Sequence, residues 1–266
     1  MPAEYLELSF LQLGLATSLI LVCGVISVLL HLGLQRRLLI AAVRTVVQLL
    51  LIGLVLRWIF SAGQWYVVLA LMLVMTLIAG MAAVGRTGRH YPGIRLDSII
   101  SIWASSWLIT ALALTVIVQV EPWYRPQYAV PLLGMILGNT LNGISLGLDR
   151  LGETLVGQRD QVETLLALGA TRWEAAREPI REAVRTGMIP ILNTMMVVGL
   201  VSMPGMMTGQ LLAGTDPMQA VMYQIVIMFL IAAGTSLGTF SVVLLGYRRL
   251  FNADHQFLAA RLVKRR

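Results

Sequence analysis

The sequence predicts an all-α, polytopic membrane protein of about seven transmembrane helices, N-terminus outside and C-terminus cytoplasmic, with an amphipathic helical hairpin on the cytoplasmic side. Three observations predict it. Of 266 residues, 58% are hydrophobic and 12% charged, with a mean hydropathy of +0.80, whereas a soluble domain carries roughly 25% charged residues. Several apolar runs reach the roughly 20 residues that a helix needs to cross about 30 Å of hydrocarbon. The basic residues collect in alternate loops, as the retention of Lys and Arg on the cytoplasmic side requires.

The seven runs lie at 9–32, 38–60, 65–84, 98–120, 130–148, 188–212 and 218–247. Glu4 and Glu7 precede the first. That start is acidic, unlike a cleavable signal, so the first span is expected to stay. The fifth run is short and interrupted by "GNTLNG" at 138–143, and the sixth by "SMPGMMTG" at 202–209. Freed backbone groups at membrane depth need protein or a watery cavity around them. Gly138, Gly143, Pro204 and Gly205 are therefore read as hinges of broken helices beside a pathway. Eighteen of the twenty Lys and Arg residues fall in loops assigned to one side, Arg57 and Arg125 being the exceptions. A formal charge of +7 then reflects an inner surface facing anionic lipid and calls for no nucleic acid. Cys23 is the single cysteine, so no intrachain disulfide can form.

One charged passage breaks this apolar pattern. From Thr171, the residues Trp173, Ala176, Ile180, Ala183, Val184 and Gly187 recur at helical spacing, with Glu and Arg filling the other face. Thr171 with Glu174 three residues later forms a capping box, the signature of a new helix. Gly169 suits the left-handed turn that closes the preceding helix. Pro179 should kink or restart the second helix. The segment 149–187 is thus a cytoplasmic helix–turn–helix. On physical grounds alone it either lies on lipid headgroups or docks a partner.

A resemblance bears on that choice. In ABC-transporter permeases a cytoplasmic loop with Glu-Ala-Ala, three residues and Gly docks into the ATPase subunit. Here Glu163 stands six before Gly169, although Thr164 and Leu165 replace the alanines and Ile189-Pro190 comes later than usual. The stretches "GMILGNTLNGISLGLDRL", "LALGAT", "REAVRTGMIPILNTMMVVGLVSMPGMMTGQLLAGTDPMQAVMYQI" and "AAGTSLGT" together resemble the FetB-type permease family, the membrane half of a bacterial iron exporter with plant relatives in aluminium tolerance. The resemblance implies an inner-membrane, multi-pass permease of a single transmembrane domain, residues 1–266, that exports iron or another metal ion. It also implies a homodimer bound to two copies of a cytoplasmic ABC ATPase. The ATPase contact would be made by Glu163, Gly169, Ala170, Thr171, Arg172 and Glu174.

The energy source must lie on another chain. A G-x-x-x-x-G-K-[ST] loop needs a lysine, and the only one is Lys264. No cofactor is expected on this chain, and ATP and Mg belong to the partner ATPase. No catalytic constellation is visible, so the chain is read as a transporter subunit rather than an enzyme. Two other classes stay open, a seven-helix receptor or scaffold and an ATP-independent channel or secondary transporter. Co-purification with an ATPase separates them from the exporter.

Polar residues inside spans face a bundle interior or a pathway. On that basis Gln48, Asn139, Asn142, Asn193 and Gln224 are pathway candidates, together with Met196 from the methionine-rich sixth span. Asn139 and Asn142 could offer oxygens to a cation or simply tie helices together. Methionine thioethers suit Cu(I) but also fill irregular packing. His31, His90 and His255 are scattered, so no metal site is legible. Four Gly-xxx-Gly pairs in the last three spans permit close helix approach within the chain or across a dimer.

Overall fold

A computed structural model describes residues 9–264. Glu4, Glu7 and the last two arginines lie outside them. The chain divides into two compact units, Met1–Gln64 with Gln210–Thr215, and Trp65–Gly209 with Asp216–Arg266.

The first unit is a helical hairpin. α1 (Phe10–Leu29) starts at Ser9, whose hydroxyl accepts from the Gln12 amide while the Gln12 side chain accepts from the Ser9 amide. α2 (Gln35–Ala62) ends at Gly63, which takes the left-handed conformation with φ 62. Between them the Ser27 hydroxyl accepts from the Leu34 amide at 3.0 Å and donates to the Gln35 side chain at 3.2 Å.

The second unit holds α3 (Trp65–Val84), a two-residue strand β1 (Arg89–His90), α4 (Ile94–Leu112) with a π turn (Ala113–Ile117), α5 (Pro126–Gly157), α6 (Arg159–Ala167), α7 (Arg172–Val197), α9 (Pro217–Leu250) and β2 (Val263–Lys264). α8 (Gly205–Leu212) begins in this unit and ends in the other. β1 and β2 pair antiparallel, Arg89 opposite Lys264. α5 is the central helix, buried along one whole side from Ala129 to Leu155, and α3, α4, α7 and α9 all pack on it. Gly143 meets Thr235 and Thr239 of α9, Gly147 meets Thr239 and Val243, and Gly246 meets Leu151, so α5 and α9 advance in parallel. α7 runs the other way, with Gly187 beside Gly143 and Ala183 beside Gly147.

Six helices among the described residues are long and apolar enough to cross a membrane: Leu11–Leu29, Gln35–Ser61, Trp65–Val84, Ile94–Ile117, Pro126–Gly157 and Pro217–Leu250. The remaining expected span, 188–212, has a different construction. α7 is 26 residues long, or about 39 Å at 1.5 Å per residue. Its first half carries seven charged residues, Arg172 to Arg185, and only its second half is apolar. α7 runs against the parallel pair α5 and α9, and its apolar second half, about 20 Å long, is shorter than the roughly 30 Å of a full crossing.

Three expectations about helix breaks meet different outcomes. α7 ends at Val197 and α8 begins at Gly205, so the interruption falls at 198–204, slightly ahead of 202–209, and Gly209 sits within α8. The break expected at 138–143 is absent: α5 continues through Gly138 and Gly143. Gly143 serves close approach instead, since a Cβ there would lie 2.6 Å from Thr239 Oγ1 and 3.2 Å from the Gly187 carbonyl oxygen. Nothing in the structure explains Gly138, whose Cβ position is open. Pro179 does not restart α7, which passes through both Pro179 and Pro190 as one helix.

Candidate functional site

The helix–turn–helix expected around Gly169 is present. Gly169 has φ +92, a conformation that costs a Cβ-bearing residue energy, and the Ala170 amide donates back to the Leu165 carbonyl at 3.0 Å. Two residues on, the Glu174 carboxylate accepts from the Thr171 amide at 2.7 Å, and the Thr171 hydroxyl accepts from the Glu174 amide at 3.3 Å. The tip of this turn is bare. Leu168 is 80% exposed, and no atom lies within 4 Å of a Cβ built on Gly169. Glu163 is bound to Arg159 one turn earlier, at 2.7 Å.

The base of the turn is braced by the C-terminal tail, a contact that no sequence pattern announces. The Arg172 amide donates to His255 Nδ1 at 2.8 Å, and its guanidinium donates to the Asn252 carbonyl at 3.1 Å. Trp173 stands edge-on to Tyr247 at 5.7 Å, and Tyr247, Phe251 and Phe257 continue the aromatic row. Further along α7, Glu182 accepts from Arg150 and from Thr154 at 3.2 Å. The Arg150 guanidinium, then Thr154, holds that carboxyl below its ordinary range against partial desolvation. The hairpin is therefore tied to α5 and α9 while its tip stays free.

Glu174 carries a pH prediction. Hydrogen bonds from the Thr171 amide and then its hydroxyl hold this carboxyl below the ordinary glutamate value. A depressed value means that the cap stabilises the turn fully above the ordinary range and loses that contribution as pH falls through the lowered value. The protection of amides 171–175, measured relative to their intrinsic exchange rates at each pH, is thus expected to fall under acid, and Thr171→Val should produce the same loosening at neutral pH, by about 1 kcal/mol. Exchange in the variant equal to wild type would show that the cap does not hold the turn.

The pathway candidates do not converge. Asn142 Oδ1 accepts from Arg86 at 2.7 Å, beside a cavity of about 270 Å³ lined also by Ser145, Leu146, Asp149 and Pro190. Asp149 in turn accepts from the Gly88 amide at 2.6 Å, so the α3–α4 connection is latched to α5 at two points. Asn139 instead donates to its own helix at Met135, at 2.9 Å. Gln224 is buried and lines a second cavity of about 430 Å³ with Met195, Met207 and Met228. Asn193 and Met196 are exposed on α7, and Gln48 is exposed on α2 of the first unit. Pro204 and Gly205 mark the start of α8. Among the described residues, no group of three His, Cys, Asp or Glu side chains could hold a metal.

The chain's similarities cover almost its whole length. Residues 10–251 match the model of the uncharacterised protein family UPF0014. It is 43% identical over 227 residues to a UPF0014 membrane protein of Synechocystis, covering 85% of this chain and 88% of that one. It is 33% identical to the probable iron export permease protein FetB of Escherichia coli, over 96% of both chains. With the protein ALUMINUM SENSITIVE 3 of Arabidopsis thaliana it shares 30% identity over 91% of this chain and 87% of that one. No solved structure matches it. A helical membrane architecture and matches of this extent place the chain in one group: it belongs to the UPF0014 family, whose relatives include a probable iron export permease.

Proposed function

We propose that this chain is the membrane permease subunit of an ATP-driven ABC exporter in the inner membrane, and that its cargo is iron or a related metal ion. One observation carries the reading. The capped turn at 168–171 presents a bare leucine and a left-handed glycine, and it leads without interruption into α7, which reaches the middle of the helix bundle at Gly187. A push on the turn is thereby delivered to the membrane interior as a movement of one rigid helix. The metal is suggested by the E. coli relative's name, and the separate ATPase by the chain's single lysine.

In this mechanism a homodimer of the permease binds two ATPases through Glu163, Gly169, Ala170, Thr171, Arg172 and Glu174. Closure of the ATPases on ATP and Mg displaces the two turns, and α7 tilts against α5 and α9. The tail brace from Asn252 and His255 makes α7 and α9 answer together. Affinity purification of the protein from its native membrane is expected to retain an ABC ATPase in a one-to-one ratio. Recovery without any ATPase, with metal flux still present in vesicles lacking ATP, would favour a channel or secondary transporter instead.

A further inference from the structure

Side-chain amides within a membrane span turn toward protein rather than lipid, because hydrocarbon offers them no partner. Two in the second unit face outward instead. Asn142 of α5 and Asn193 of α7 are both exposed. Asn142 gives its oxygen to Arg86, and the Asn193 side chain has no hydrogen-bond partner among the described residues. Their depth follows from the point where Gly143 of α5 meets Gly187 of α7. Asn142 adjoins that point. Asn193 lies six residues past Gly187, about 9 Å further from the charged half of α7. On antiparallel α5 the same level is reached five residues before Gly143, at Gly138.

These positions belong to one continuous face. Asn142 and Leu146 line a cavity together with Pro190, so the α5 stripe Gly138, Asn142 and Leu146 runs beside the α7 stripe Pro190, Asn193 and Val197. All six are exposed and none is charged. Gly138 differs from Gly143 and Gly147 on the same helix. Those two are filled by α7 and α9, whereas no atom of another element lies within 4 Å of a Cβ built on Gly138. A glycine inside a helix costs about 1 kcal/mol relative to alanine, and in membranes that cost is offset where a second helix backbone comes close. No helix of this chain does so at Gly138. The exposed faces of α4 and α9 carry apolar residues such as Leu108 and Phe240, which lipid covers without penalty.

We infer that the α5–α7 face is the surface on which a second copy of this chain packs, with Gly138 admitting the partner's backbone and Asn193 bonding to its own counterpart. This rests on the homodimer of the exporter reading and gives that dimer its contact surface. The chemistry of the face selects an identical partner. A two-fold interface pairs a patch with itself, and an amide both donates and accepts, so like amides satisfy one another. A face bearing charges of one sign would instead repel its copy.

The test uses the full chain in lipid vesicles, with the dimer fraction counted by single-molecule photobleaching over a range of protein-to-lipid ratios. Gly138→Leu places its side chain in open space within the single chain, so insertion and helix content should be unchanged. The dissociation constant of the dimer is expected to rise at least tenfold. Gly138→Ala keeps a small residue and should dimerise as wild type does. A second measurement does not depend on the folding of Gly138→Leu. With Cys23→Ala removing the native thiol, Gly138→Cys and Asn193→Cys are oxidised in native membranes with copper phenanthroline, beside Leu108→Cys and Phe240→Cys. Covalent dimers are expected at 138 or 193, at least tenfold above those at 108 and 240. Links that are absent at 138 and 193, or no stronger there than at 108 and 240, overturn the surface. So does a folded Gly138→Leu chain that dimerises like wild type. Dimers linked through the face in membranes from which no ABC ATPase co-purifies support the surface and overturn the exporter reading.

Discussion

Gly187→Val is expected to lower stability by about 1–3 kcal/mol, the usual range for overpacking a filled site, and to abolish metal-driven ATP hydrolysis. A Cβ at this position would lie 2.6 Å from the Gly143 carbonyl oxygen and 2.7 Å from Thr239 Cγ2. The first obstacle is backbone, which cannot rotate aside, so α7 must move off α5. The displacement falls where α7 meets the bundle, and on the proposed exporter reading function should fail together with stability. Gly138→Ala is the control. It adds one methyl to the same helix α5 where no atom lies within 4 Å, and replacing a helical glycine with alanine is expected to be neutral or stabilising by up to about 1 kcal/mol. Thermal melting of both variants in detergent checks the pair. Equal melting points would mean that α5 and α7 do not meet as closely as these distances require.

Arg249→Ala is expected to cost about 3 kcal/mol, toward the lower end of what breaking a buried ion pair costs. Asp97 lies in the first turn of α4 with its side chain 2% exposed, and Arg249, from the last turn of α9, reaches it through both Nε and Nη2 at 3.0–3.3 Å. Gly93 leaves room for the guanidinium, which lies 2.9 Å from its Cβ position. Removing the arginine strands a carboxylate away from water. The arginine side chain is 43% exposed, so water entering the gap offsets part of the penalty. Adding Asp97→Asn to Arg249→Ala should recover part of the loss, because a neutral amide is cheaper to leave unpaired. A double variant no more stable than Arg249→Ala alone would contradict an electrostatic origin.

What the sequence made legible was local. Gly169, Thr171 and Glu174 lie within six residues of one another, and the turn they encode follows from backbone conformation and capping alone. The apolar runs are equally plain, because membrane thickness acts on each segment separately. The inner packing seam is not, since Gly143, Gly187 and Thr239 look like any other span residues until α5, α7 and α9 are set side by side. Gly138 and Gly143 read as a break because glycine weakens isolated helices, whereas at Gly143 the close approach of α7 and α9 decides the matter. Asn142 looks free for a cation because its partner, Arg86, lies 56 positions away. The hold of His255 and Asn252 on Arg172 spans 83 and 80 positions and leaves no periodic trace.

The central claim is that the Gly169 turn conveys the work of a separate ATPase to metal transport. Metal-stimulated ATP hydrolysis by the reconstituted complex, measured for wild type and Gly169→Val side by side, tests it most directly. The valine is forced against a φ of +92, conformational strain of about 1–3 kcal/mol confined to an exposed turn, so the protein should still insert and fold, with its melting point lowered by no more than that of Gly187→Val. The expected result is several-fold stimulation by iron in the wild type and none in the variant. An unstimulated wild-type complex, or a Gly169→Val complex stimulated as strongly as wild type, would contradict the claim.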